Sequence, residues 1–216
     1  MKKLLELLTQ WQPLLALGAI LSNSFGIGMA PVVPGPDAIR PPGWAFGIWS
    51  IIYSLYFMAY LQWLLLSPRP VLPNALSVTW ICNALWIQLS LSGRWILACV
   101  VLISYSVAAF SACWDLVQSS SLPLLLTVAT ILVSFWTLAA SAVSVQIAIY
   151  VVSPTLWAQV SKNFRALSSI LLVTPALWTL RVIATGSRAA RGAPSISALL
   201  FVQGWTQAAV WLRAAS

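Results

Sequence analysis

Histidine is absent from this 216-residue chain, and its acidic side chains are limited to Glu6, Asp37 and Asp115. Without imidazole the chain lacks the commonest metal ligand, the usual general base and the commonest axial ligand of haem. Scattered carboxylates leave a hydrolytic or metal-dependent active site without its ordinary parts, so no enzymatic activity is expected and no metal site is assigned. No apolar run carries a central ionisable residue, which argues against a secondary transporter with midplane ion sites. Charged residues make up 6% of the chain, too few for a soluble domain of typical composition. The cysteines, Cys82, Cys99 and Cys113, show no metal-ligand spacing and sit in apolar runs, where a thiol behaves as a small hydrophobe.

What the chain does contain is apolar surface. Hydrophobic residues make up 61% of it and the mean hydropathy is +0.93, the balance of an integral membrane protein. Long apolar runs separated by short Pro, Gly or Arg breaks indicate helices; a membrane β-barrel would show short alternating segments instead. The eleven basic residues, for a net charge of +8, lie at segment ends and form no clustered patch, so nucleic acid is not an expected partner. They read as topology signals and lipid-headgroup contacts.

The expected fold class is all-α: one polytopic membrane helical bundle of about seven spans, residues 1–216 forming a single domain. Met1-Lys2-Lys3 and the leucine-rich run after it resemble a secretory signal. Glu6 and Gln10 interrupt that run, and residues 11–32 read as a retained first span with Lys2 and Lys3 on the cytoplasmic side, in a bacterial inner or photosynthetic membrane. Asn23 within it is expected to face other helices. A stiff connector over 31–42, containing Asp37 and Arg40, leads into a second span that runs from Trp44 towards Ser67. The third span covers 74–93, the fourth 95–114 closed by Asp115, and the fifth 124–152, with Pro123 in its first turn. An amphipathic connection over 153–165 precedes a sixth span over 166–185 and a seventh over 195–212.

Chemistry is concentrated on two faces. In the second span Phe46, Trp49, Tyr53, Tyr56, Tyr60 and Trp63 alternate at spacings of three and four, so they share one helix face. Phenols are costly in hydrocarbon without partners, so this wall is expected to face protein, ligand or trapped water. A helix-packing seam with an interfacial aromatic belt is the other reading of the same spacing. In the third span Thr79, Asn83, Trp86 and Ser90 form a polar-aromatic face, with the Asn83 amide in need of partners. The fourth span shows no chemistry. In the fifth, Thr130, Ser134, Thr137, Ser141 and Ser144 form a hydroxyl stripe suited to close helix approach, with Phe135 and Trp136 beside it.

Pro41-Pro42-Gly43-Trp44-Ala45-Phe46-Gly47-Ile48-Trp49, followed by Tyr53, resembles the signature of the TspO/translocator-protein family, the tryptophan-rich sensory proteins. Asn83-Ala84-Leu85-Trp86 is similar to that family's Asn-x-x-Trp pattern on its third helix. The second tryptophan of the loop signature comes one residue early here. The fifth-helix pattern is matched only loosely by Phe135-Trp136 and Ala139-Ala140-Ser141. The resemblance implies a five-helix core over 11–152 with two additional C-terminal spans over 153–216. It implies a pocket under the first loop that takes tetrapyrroles, sterols or aromatic drug-like molecules, lined at matching positions by Trp44, Phe46, Trp49, Tyr53, Asn83, Trp86 and Trp136. Arg40, at the end of the connector, is added as a partner for a ligand carboxylate.

Two functions follow as expectations. One is a binding, transport or sensory protein for a planar hydrophobic ligand, a porphyrin-like tetrapyrrole or another pigment or lipid, with no cofactor required. The other is an accessory subunit of a larger membrane complex, photosynthetic or respiratory, in which the added helices form a docking surface. The expected partners are membrane lipids and a hydrophobic small molecule, with a homodimer or a larger membrane complex as the assembly. Light- or oxygen-dependent tetrapyrrole breakdown is implied by the resemblance alone, and the chain supplies no base, nucleophile or metal site for it.

Overall fold

A computed structural model of the chain describes residues 2–27, 34–35, 47–66, 70–119 and 121–161. These residues form the helices α1 (Lys2–Ile27), α2 (Ile48–Leu64), α3 (Asn74–Leu91), α4 (Trp95–Gln118) and α5 (Leu124–Val152), with a further helical stretch over 154–161 and no strand among them. The sixth and seventh spans, with Arg40, Trp44 and Phe46, lie outside the described residues. Two helices, α4 and α5, are long and apolar enough to cross a membrane, and α2 is a shorter apolar helix.

Helix ends follow local chemistry, and two differ from expectation. The first helix, Lys2–Ile27, begins well before residue 11, and residues 28–32 of the expected span lie outside the described residues. Polar Glu6 and Gln10 interrupt an apolar run but are good helix formers, so hydropathy alone misplaces the start. The fourth helix continues past Asp115 to Gln118, because Asp115 lies on its exposed side, where a carboxylate keeps its water and has no reason to end the helix. Pro73 and Pro123 cap α3 and α5, since neither ring can continue a helix backwards. Between α3 and α4 the chain turns at Gly93, φ 72°, with Gly93 N–H donating to Ser90 O (3.1 Å) and Arg94 N–H to Leu89 O (2.9 Å). This Schellman motif needs glycine in the left-handed region.

Helix packing runs α1 on α3, α3 on α4, α4 on α5 and α5 on α2. Bonded pairs give the directions: Gln12 meets Pro73 and Ser22 meets Gln88, so α1 and α3 run parallel, whereas Tyr53–Asn83 with Tyr60–Trp80 sets α2 antiparallel to α3, and the tight turn at Gly93 reverses the chain into α4. The end of α1, the start of α2 and the end of α3 therefore lie at one end of the bundle, where the connector joins α1 to α2.

Small residues bring α4 and α5 close. Ala98, Ala108, Ala109, Ala112 and Ala129 are buried, and Ser141 Oγ reaches both Ser106 Oγ (3.0 Å) and the Leu102 carbonyl (3.3 Å) across the seam. The hydroxyl stripe of α5 is satisfied largely by its own backbone: Thr130, Ser134, Thr137 and Ser141 each donate to the carbonyl one turn back, at 2.6 to 2.8 Å. Outward, α4 presents Ile96, Leu97, Val100, Ile103 and Val107, all exposed.

Candidate functional site

Helical spacing alone brings the rings of α2 onto one face, and the bundle buries that face. Trp49, Tyr53, Tyr56, Tyr60 and Trp63 are all buried. From Tyr53 onwards their polar atoms are partnered one by one. Tyr56 Oη donates to Thr130 Oγ1 of α5 (3.0 Å), Tyr60 Oη accepts from Trp80 Nε1 of α3 (2.8 Å), and Trp63 Nε1 donates to the Pro70 carbonyl (2.9 Å). Tyr56 also meets Trp80 edge-on at 4.6 Å between centroids. This lower half is a packing seam, as one of the two readings of the spacing anticipated.

The upper half, nearer the connector, is organised differently. Asn23 of α1, Tyr53 of α2, Asn83 of α3 and Tyr105 of α4 form a four-helix polar cluster. Asn23 Nδ2 donates to Tyr53 Oη and to Asn83 Oδ1, Tyr53 Oη lies 3.5 Å from Asn83 Oδ1, and Asn83 Nδ2 donates to Tyr105 Oη at 2.6 Å. Asn83 and Tyr105 have no exposed surface, and Asn23 is 3% exposed. Such a network is tolerated in apolar surroundings because its members serve one another.

Rings stand against this cluster. Trp49 stacks on Tyr53 at 5.3 Å and on Tyr105 at 6.5 Å, and meets Trp86 at 6.2 Å with the planes 32° apart. Trp86 is only half-buried, so this group reaches the surface along the indole of α3. Chemically, the arrangement is a set of buried rings, Trp49, Tyr53 and Tyr105, packed on one another over neutral hydrogen-bonding atoms, with Trp86 as the one partly exposed ring of the group.

Of the residues expected to line a site, Trp49, Tyr53, Asn83 and Trp86 come together here. Trp136 is buried on α5 in the same core as Trp49, Tyr53 and Tyr105, without a ring contact to them or to Trp86. Tyr105 was missed, since α4 reads as featureless. The available signal was a lone phenol in the middle of an apolar span, which needs a partner as much as the Asn83 amide does. Asn23 was expected to face protein, and it does so as a member of the cluster.

No group of His, Cys, Asp or Glu suited to a metal ion occurs among the described residues, and Cys82, Cys99 and Cys113 are free and buried. No family model, curated protein or solved structure matches the chain.

Proposed function

We propose that the chain is an integral membrane protein that binds a planar, largely apolar ligand between α2, α3 and α4 beneath the α1–α2 connector, with a porphyrin-like tetrapyrrole as the first candidate. The observation that carries this reading is the convergence of Trp49, Tyr53, Trp86 and Tyr105 from three helices on one polar cluster, with Trp86 open to the surface. Membrane insertion is supported by the apolar composition, by α4 and α5, and by the exposed apolar row on α4. The tetrapyrrole and the five-helix core with two further spans come from the resemblance of the Pro41 to Trp49 stretch and of Asn83 to Trp86 to the TspO/translocator-protein family. In this reading the stacked indoles hold the ligand by its faces, and no residue performs chemistry on it. Trp44, Phe46 and Arg40, which lie outside the described residues, are the further ligand contacts this reading adds, Arg40 as partner to a ligand carboxylate.

Titration of the purified protein with protoporphyrin tests this through tryptophan fluorescence. Saturable quenching is expected, with affinity roughly tenfold weaker in Trp49→Leu and Trp86→Leu, as follows from loss of one stacked ring. Absence of saturable quenching, or quenching unchanged in both variants, overturns the reading.

A second reading is favoured by the tight packing of the lower half, where Tyr56 has no exposed surface and Trp80 has 1%. An accessory subunit that uses its rings as internal scaffold would show this. A stoichiometric partner retained in mild detergent, together with no porphyrin response, would select it.

A further inference from the structure

Charge on α4 is confined to its two ends. No charged residue occurs from Trp95 to Trp114, and the residues that bracket this run, Arg94 and Asp115, are both exposed. At a rise of about 1.5 Å per residue the helix between them is about 31 Å long, which matches the hydrocarbon core of a bilayer. The outward side chains in between, Ile96, Val100, Ile103 and Val107, are apolar and exposed, and the exposed Ser104 hydroxyl is turned back onto the Val100 carbonyl. Exposed indoles mark the Asp115 end: Trp114 on α4, and Trp11 on α1 beside Gln12, which meets the start of α3 at Pro73. Indoles of this kind gather where hydrocarbon gives way to headgroups.

Heights within the bundle follow from this frame. Tyr105 stands midway between Arg94 and Asp115, and Asn83 donates to its hydroxyl at 2.6 Å, so the polar cluster lies at the level of the bilayer midplane. That depth agrees with its chemistry, since its members are uncharged and serve one another. Trp86 comes less than one turn after Asn83 on α3, about 5 Å nearer the Arg94 end. The half-buried indole is therefore still about 10 Å inside the hydrocarbon border, beside the exposed Leu85. Water does not reach that depth on an apolar outer face.

We propose that the bilayer's hydrocarbon extends from Arg94 to Asp115 along α4, and that the partly exposed edge of Trp86 faces lipid acyl chains near mid-depth and not water. The inference rests on the membrane insertion proposed above and is independent of which ligand the protein binds. It has a functional consequence for that site. Any molecule meeting the Trp86 edge from outside arrives through the acyl chains, so it must first dissolve in the membrane.

Spin labels on single introduced thiols test this in the full chain reconstituted into phosphatidylcholine vesicles. Ile96→Cys, Ile103→Cys, Val107→Cys and Ser111→Cys scan the outer face of α4, and Leu85→Cys reports beside Trp86; all five positions are exposed, and circular dichroism checks that each variant keeps its helix content. The ratio of collisions with oxygen to collisions with a water-soluble nickel chelate is expected to peak between Ile103 and Val107, to fall towards Ile96 and Ser111, and to be as high at Leu85 as at Ile103. In vesicles of lipid brominated deep in the acyl chain, Trp86→Phe should lose part of the tryptophan quenching seen in the unsubstituted protein. A peak displaced by a helical turn or more, nickel access at Leu85 equal to that at Ile96, or quenching by deep bromines unchanged in Trp86→Phe overturns the proposal while the membrane reading stands. Labels at Ile103 and Leu85 that neither collider reaches overturn it too, because a protein partner then covers this face. Nickel access at every position overturns both the proposal and membrane insertion.

Discussion

Asn83 takes a hydrogen from Asn23 and gives one to Tyr105, so a single amide ties α3 to α1 and α4. Removing a partner of that amide should cost more than removing an equally buried phenol whose partner has another bond. Tyr105→Phe leaves Asn83 Nδ2 with no acceptor, and a loss of about 2 kcal/mol is expected. Tyr56→Phe removes a bond to Thr130, but Thr130 Oγ1 still donates to the Leu126 carbonyl, so about 0.6 kcal/mol is expected, the usual size of a hydrogen bond between membrane helices. Unfolding titrations in SDS, followed by circular dichroism, compare the two directly. Equal losses would show that the cluster is no more than a set of independent contacts.

At the scale of elements, α4 and α5 meet through small side chains, and Ser141 touches both a serine and a backbone carbonyl of its neighbour. There is no room at such a contact for a larger side chain. Ser141→Leu is expected to destabilise the protein by about 2 kcal/mol, the scale of overpacking in a filled core. Ser104, two residues before Ser106 and on the exposed side of α4, bonds only to the Val100 carbonyl of its own helix. Ser104→Leu should therefore be close to neutral, and the same SDS titration checks the contrast. The α2 contacts belong to another class: they rest on rings and phenols, and the α2–α5 approach is bridged by Tyr56 and Thr130.

Across the whole molecule, the free thiols report on integrity. Cys82 and Cys113 lie in α3 and α4 with their side chains in the core, and Cys99 is buried near the start of α4. A membrane-impermeant maleimide is expected to label none of them in the folded protein and all of them after denaturation in SDS, as read by intact-mass spectrometry. Labelling of Cys113 in the native state would show that the α2, α4 and α5 core opens on the labelling timescale.

Composition and periodicity determined that the chain is helical and apolar, where α3 and α5 begin, and which rings of α2 share a face, because these depend on one residue's neighbours along a single helix. Tertiary structure alone decided that Asn23 and Tyr105 complete the polar cluster and that Trp136 makes no ring contact with Trp49 or Trp86. Those outcomes depend on which helix lies beside which and at what height. Segments distant in sequence share no period, so nothing local encodes their register. Only the simultaneous need to bury rings, close small-residue seams and partner every polar atom settles it.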